Sequence, residues 1–300
     1  MHFLGIDIGG TKIKYVILDE ESTILEKNQI LTEDNSSELP LWKDRILDLI
    51  KEKIKVHSNN IICGISAPGL VDQNNKMILH MPERLKGIEQ FNWSLAANTN
   101  IEVINDGHAA ALAEYESFYK KKGIKNMLLL TLGTGVGGGI IIDGKIYQGN
   151  LQRAGHVGHM TIDHMGVPTM TNIPGSLEQA LGNFSVKSRS NGKYNSVRKL
   201  VAAYKKGKPL ATYWWLSSIQ QLATALASLT NILSPEIIIL GGGISSGAKK
   251  SLLKPLKKFM TLYEWQPEGN KTKIKRSKHG SYAGAIGAAF FAKNQNNKNK

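Results

Sequence analysis

The chain has 300 residues, which at roughly 150 per domain predicts about two domains, and 41% hydrophobic with 21% charged residues excludes general disorder. A single cysteine, Cys63, excludes an intramolecular disulfide framework and any multi-cysteine metal site, and no apolar run nears the roughly 18 residues that span a bilayer. Lys and Arg outnumber Asp and Glu by 38 to 24, unevenly: residues 1–119 hold 11 against 18 (net −7), and residues 120–300 hold 27 against 6 (net +21).

In chain order, Phe3 to Ile8 reads as an apolar strand running into the turn Gly9-Gly10-Thr11. A second strand, Ile13–Leu18, follows as a hairpin partner. Leu41, Ile46, Leu49, Ile50 and Ile54 recur at helical spacing and predict a helix over 39–56. A strand at 60–66, the turn Ala67-Pro68-Gly69 and a strand at 101–104 come next. Asn105 or Asp106 caps a helix through Tyr119. The opening pattern then returns: Leu128 to Leu132, glycines from Gly133 to Gly139, a strand at 140–142 and Asp143. Asp7 to Asp19 and Thr131 to Asp143 both span twelve residues, and the offset of 124 also relates Gly9 to Gly133. This internal repeat implies two similar α/β domains around a cleft. Helices are expected near 176–182, 197–206 and 212–233. The strand Ile237–Leu240 runs into Gly241-Gly242-Gly243, a small-residue helix follows at 283–291, and Lys293–Lys300 reads as a frayed tail.

Three glycine turns after apolar strands suit phosphate, because backbone amides without an intervening Cβ form anion-binding nests. Neither GxxxxGK[ST] nor GxGxxG after a first strand is present, which argues against P-loop and Rossmann sites. The lysine blocks Lys120–Lys122 and Lys271–Lys278 carry no interleaved aromatics, so they read as a solvated face, and no nucleic-acid partner is expected. The N-terminus lacks a secretory signal, and the chain is expected to be cytoplasmic with no membrane partner.

The segments LGIDIGGTKIKYVILDE, GISAPGLVD, INDGHAAALAEYE, LLLTLGTGVGGGIIIDGKIYQG, AGHVGHMTID, GSLEQALG, IIILGGGIS and SYAGAIGAA occur in the order of the ROK family of repressors and sugar kinases, which the chain resembles over nearly its whole length. The resemblance implies an actin-like (ribonuclease H-like) fold of two α/β domains around a central cleft. The division expected is 1–118, joined by a C-terminal helix at 283–300, against 119–282. It also implies a glucokinase-like enzyme of carbohydrate metabolism, with ATP and Mg²⁺. By motif position Asp106 would be the catalytic base. Asp7 would hold Mg²⁺, while Gly9, Gly10, Thr11 and Lys12, Gly133, Thr134 and Gly135, and Gly241, Gly242 and Gly243 would surround the nucleotide. Gly69, Asn105, Asp106, His156, His159 and Glu178 would contact sugar, with the Pro68–Asp72 loop helping to read its stereochemistry.

Two departures stand out. The family's ExGH motif reads His156-Val157-Gly158-His159, so histidine replaces a sugar-contacting glutamate. The family's zinc cluster uses His159 and three cysteines, but Thr169, Thr171 and Ser176 occupy those positions; hydroxyls are poor zinc ligands, so the zinc is expected to be lost. A substitute site of His156, His159 and His164 is the alternative. His108 also alters the last position of the NDxN pattern. A neutral His156 suits an acceptor on the sugar, and repulsion between His156 and His159 is expected to disfavour protonating both. Besides phosphorylation of a hexose or N-acetylhexosamine, the residues allow a non-catalytic sugar-sensing regulator acting through a protein partner, or a polyphosphate donor drawn to the basic half. The resemblance also allows a homodimer.

Overall fold

The computed structural model describes residues 1–32, 41–58, 60–81, 85–169 and 171–298. The chain forms two compact units, Met1–Lys122 with Ile146–Ala154 and Ser281–Lys300, and Gly123–Lys145 with Gly155–Gly280. Residues 146–154 thus belong with the first unit, which the division expected at 118/119 does not include.

The first unit is built on β1 (His2–Ile8), β2 (Lys12–Leu18), β3 (Ile24–Leu31), β4 (Ile61–Ala67), the short pair β5 (Leu70–Val71) and β6 (Ile78–His80), and β7 (Ile101–Asn105). Its five-stranded sheet has the order β3-β2-β1-β4-β7. β1 and β2 are antiparallel, whereas β1, β4 and β7 run parallel. Asp7 lies opposite Ser66, and Ala67 opposite Asn105, so the carboxyl ends of three parallel strands stand in a row. α1 (Leu41–Val56) buries Trp42, Ile46, Leu49 and Ile50. Trp42 rather than Leu41, which is 44% exposed, takes the core position. Residues 39–40 of the expected helix lie outside the described residues. α2 (Trp93–Ala97) adds Trp93 to the core, and α3 (Asp106–Glu114) leads into a single wider helical turn at Tyr115–Tyr119. The C-terminal helix, Ala283–Lys298, covers this sheet. It continues through most of the expected tail, because Lys293 donates to Glu20 O and Ser22 Oγ and Asn294 donates to Glu116.

The second unit repeats the plan. β8 (Met127–Leu132), β9 (Val136–Ile142), β10 (Lys145–Tyr147), β11 (Ile237–Gly241) and β12 (Lys273–Arg276) form a sheet ordered β10-β9-β8-β11-β12. The outer meander is antiparallel, and β8, β11 and β12 are parallel. The glycine run is only partly a turn: Gly137, Gly138 and Gly139 lie inside β9, opposite Thr131, Leu130 and Leu129. The helices are α4 (Leu177–Leu181), α5 (Val186–Arg189), α6 (Val197–Lys205), α7 (Pro209–Leu233), α8 (Gly242–Ala248) and α9 (Lys250–Tyr263). A separate apolar core centred on Leu128, Leu130, Trp215, Leu222 and Leu240 holds this unit together. No helix among the described residues is long and apolar enough to cross a membrane.

Candidate active site

In the first unit the parallel strands deliver their last residues to one edge, where open α/β sheets place ligands. Asp7 accepts a hydrogen bond from Ser66 Oγ at 2.8 Å. Its carboxyl is pushed up to about 6, chiefly by burial, with the charge of Asp106 adding to the rise and Ser66 and Lys14 opposing it. Asp106 is the first residue of α3 and is exposed. The N-cap is Asn105, whose Oδ1 accepts from the amides of Gly107 (2.9 Å) and His108 (3.3 Å). Asn105 Nδ2 donates to Gly69 O at 3.0 Å, using one of its two N–H groups. Asp106 Oδ1 accepts from the same Gly107 amide at 2.8 Å, so the two side chains share the first turn of α3. Asp72 shapes its own loop, accepting from the amides of Asn74, Lys76 and Met77. The turn between β1 and β2 closes through Gly9 N to Lys12 O, with Thr11 and Lys12 exposed. Thr32 braces it, its hydroxyl donating to Gly9 O at 2.6 Å. His108 is buried, its Nε2 2.6 Å from Ala154 O, and burial holds its pKa below the usual histidine value.

In the second unit the turn Gly133-Thr134-Gly135 follows β8, and Gly241-Gly242-Gly243 ends β11 and opens α8. Gly242 has φ +82°, and a Cβ there would overlap the backbone of Leu132, so only glycine lets the two turns approach. Gly133, Thr134 and Gly243 line one cavity of about 540 Å³, completed by Asn183, Val197, Arg198, Val201, Lys205 and Ile244. Apolar side chains beside the basic Arg198 and Lys205, next to a glycine turn, suit an aromatic base carrying phosphates. Glu178 sits in α4, whose N-cap is Ser176. A Cβ on Gly135 would lie 2.6 Å from Glu178 Oε2, so that glycine leaves room for the carboxylate. His159 Nδ1 is 3.5 Å from Glu178 Oε1, and this carboxylate raises the His159 pKa against the opposing effect of burial. The His156 and His159 rings are nearly parallel with centroids 6.0 Å apart. For His159 the carboxylate, not histidine repulsion, sets the direction, contrary to the expectation from their spacing.

The buried Asp7 carboxylate, with the Asp106 charge nearby, is a hard oxygen donor of the kind that fits a hard divalent cation. The zinc positions do not fit zinc. The Thr169 and Thr171 hydroxyls bond to each other at 2.8 Å, Ser176 Oγ caps α4 by accepting from Gln179 N, and Thr169 N donates to Ile173 O. His156, His159 and His164 do not converge as a replacement: among the described residues no three His, Cys, Asp or Glu side chains form a metal-binding group.

Sequence reading missed Ser66, Asn183, Val197, Arg198, Val201, Lys205 and Ile244. Ser66 is legible only through the strand register, and the others come from separate elements whose side chains carry no motif. The ROK family sequence model matches residues 3–295. A glucokinase from Halalkalibacterium halodurans is 31% identical, covering 98% of this chain and 96% of that protein. An N-acetylmannosamine kinase from Vibrio cholerae is 32% identical over 97% of this chain and 99% of its own length. The crystal structure of a ROK family glucokinase from Streptomyces griseus, in complex with glucose and AMPPNP, superposes with a TM-score of 0.76 at 26% identity, covering 98% of this chain and all (100%) of that one. The repeated sheet, its turns and these matches agree, and the chain belongs to the ROK family, with the actin-like two-domain α/β fold.

Proposed function

We propose that the protein transfers the γ-phosphoryl group of ATP to a hydroxyl of a hexose or N-acetylhexosamine. The observation carrying this reading is Asp106, an exposed carboxylate that directly follows β7 and opens α3, beside the N-cap Asn105. Asp106 accepts the proton of the attacking hydroxyl as its oxygen bonds to the γ-phosphorus and the bond to the bridging oxygen breaks, with ADP leaving. Asp7, assisted by Ser66, is the residue to hold Mg²⁺, which supplies neutralisation of the phosphate charge. The turn residues Gly9 to Lys12 face phosphate oxygens. Gly133, Thr134 and Gly135 take the β- and γ-phosphates, and Gly241 to Gly243 with Val197 and Val201 take adenosine. Asn105 orients the sugar with its second amide N–H, and Gly69 is fixed beside it by the first. Glu178 accepts from adjacent sugar hydroxyls, steadied by His159, and His156 meets an acceptor on the sugar.

The curated relatives named above are sugar kinases at 31–32% identity over nearly the whole chain, which supports the reaction class. The test is ADP release with Mg²⁺-ATP across a panel including glucose, mannose, N-acetylglucosamine and N-acetylmannosamine. Sugar-dependent turnover with at least one member is expected. Absence of turnover with every sugar in a folded, ATP-binding preparation rejects the reading. The same panel with polyphosphate in place of ATP tests the donor, and no turnover is expected there.

A further inference from the structure

A second cavity in the C-terminal unit, of about 490 Å³, is lined by Gln179 of α4, Ser188 and Arg189 of α5, Trp214, Ser217 and Gln221 of α7, and the 162–167 loop. Its size is that of a small-molecule site. The proposed phosphoryl transfer assigns it no role.

Arg189 gives the cavity its chemistry. Its Nη1 donates to Gly182 O and to Ser185 Oγ, each at 2.6 Å, and Nη2 donates to Leu181 O at 3.3 Å. Every one of these partners is a neutral oxygen, and no acidic group among the described residues lies within ion-pair distance of the guanidinium. Burial lowers its pKa to about 10. A cation taken from water and met only by dipoles is poorly compensated, and an anion in the adjoining cavity restores the balance. The rest of the wall narrows the class. Gln179, Ser188, Ser217 and Gln221 offer hydroxyl and amide groups, and Trp214 adds apolar surface. Asp163, exposed on the same wall, disfavours a ligand charged along its whole length and favours hydroxyl donors at its own end. A polyphosphate fits badly, whereas a hydroxylated body with one anionic group fits well.

We infer that this cavity is a second ligand site for a small hydroxylated anion of the sugar-phosphate class, and that its occupation weakens nucleotide binding through α4. The coupling runs through a chain of hydrogen bonds. Arg189 holds the carbonyls of Leu181 and Gly182 at the end of α4. The next two amides, Asn183 N and Phe184 N, donate to Gly133 O (3.0 Å) and Thr134 O (3.1 Å), the turn that lines the cavity assigned to nucleotide. An anion that draws the guanidinium from these carbonyls loosens the segment anchoring that turn. The choice of sugar phosphate, which is the product class, rests on the proposed kinase reading; the site itself rests on the cavity.

The experiment titrates the full chain calorimetrically with glucose 6-phosphate, inorganic phosphate and glucose, in wild type, Arg189→Gln and Ser217→Phe. Arg189→Gln also removes a brace of α4 and can fail to fold. Ser217→Phe fills the cavity from α7 while leaving the Arg189 contacts intact, so it decides the question alone. Glucose 6-phosphate is expected to bind wild type and to lose at least about tenfold in affinity in Ser217→Phe, the loss of a charge-assisted contact. ATP affinity without the anion should be unchanged in that variant, while the weakening of ATP binding by glucose 6-phosphate disappears. No binding to wild type, or equal binding to wild type and Ser217→Phe, overturns the proposal. Equal affinity for inorganic phosphate overturns its sugar half and leaves a free-phosphate site. Sugar-dependent ADP release measured on the same preparation separates the two readings: an active enzyme without the second site defeats this inference only, and an inactive protein with it defeats only the kinase assignment.

Discussion

At the end of β1 stands Asp7; at the matching place in β8, 124 residues later, stands Thr131. The two sheets share one strand order, three antiparallel strands followed by two parallel ones, yet their turns differ in detail. The first hairpin closes at Ile8↔Ile13 and the second at Leu132↔Val136, one residue tighter. The first unit carries the acids, Asp7 and Asp106, in a half whose residues 1–119 sum to −7. The second carries no acid at the equivalent strand end, and Arg198 and Lys205 border its cavity. A duplicated architecture fixes where a ligand can approach, at the carboxyl ends of the parallel strands. On the proposed function, single side chains at those ends divide the work, protons and metal on one edge and nucleotide on the other.

If that division of labour holds, the largest effect comes from removing the base. Asp106→Asn should lower turnover at least about a hundredfold, the lower range for a lost general base, while sugar affinity stays within roughly tenfold. Steady-state kinetics beside a circular-dichroism check of folding measures it. Near-normal turnover would remove Asp106 from the mechanism and break the comparison.

Glycines test the same contrast through packing. Gly64 lies in β4, and a Cβ there would overlap the carbonyl oxygen of Ala288 in the C-terminal helix, a backbone atom that cannot swing aside. Gly133 has no atom within 4 Å of its notional Cβ. Gly64→Ala should therefore cost about 2–3 kcal/mol of stability, in the range for overpacking. Gly133→Ala should stay within about 0.5 kcal/mol while weakening ATP binding about tenfold. Denaturant unfolding and nucleotide titration of both variants separate a packing glycine from a ligand glycine. Equal stability losses would erase the distinction.

The repeat was legible because its turn glycines and strand-end aspartates recur at a fixed offset, and the two matching sheets follow from it. What escaped reading did so for definable reasons. β3 exposes most of its residues, Ile24, Leu25 and Leu31 among them, so it shows no apolar alternation. β12 hides inside a lysine block with Ile274 as its one buried residue. Gly137 to Gly139 looked like loop because glycine signals turns, yet Gly138 is strand, its notional Cβ lying 2.8 Å from Leu129 O and 2.9 Å from Gly155 O. The cavity beside Gly133 draws on α6 and α8, elements far apart in sequence, so no local motif could announce it. Asp7 and Asp106 were legible by position; the rise in the Asp7 pKa was not, because burial and a neighbour 99 residues away cause it.

That rise gives a smaller test. The Asp7 pKa goes from 3.8 unfolded to about 6 folded, so the folded state binds the proton more tightly. The benefit is full below about pH 3.8 and is lost as pH rises through 6. The shift would be worth at most about 3 kcal/mol, and because the carboxyl keeps some contact with water about 1–2 kcal/mol is expected. Asp7→Asn, which can still accept from Ser66, should stabilise the protein by that amount at pH 8 and have almost no effect at pH 4, while abolishing turnover. Thermal unfolding at both pH values without divalent cations provides the check. Since Thr131 stands at the equivalent place, Thr131→Asn should show no such pH-dependent gain; a gain there would mean the two strand ends are electrostatically alike.

The smallest effect lies in the second unit, at His159 and Glu178. The carboxylate raises the His159 pKa, so the protonated form is favoured on folding. For a raised histidine the contribution is fully present below the unfolded value of about 6.5 and disappears as pH rises through the higher folded value. The pair is 3.5 Å apart and His159 is 39% exposed, so solvent screening limits it to below about 1 kcal/mol. Wild type should lose that amount between pH 6 and pH 8.5 relative to His159→Gln, which cannot titrate. The sign is opposite to what repulsion between the parallel His156 and His159 rings would produce, since that would weaken the folded state at the acidic end. It also contrasts with Asp7: there a buried acid destabilises the fold near neutrality, whereas here a half-exposed histidine gains a partner on acidification. Chemical denaturation across that pH range at low salt, where a surface pair is least screened, resolves the difference, and His159→Gln losing more stability at pH 8.5 than at pH 6 would show that Glu178 does not control this histidine.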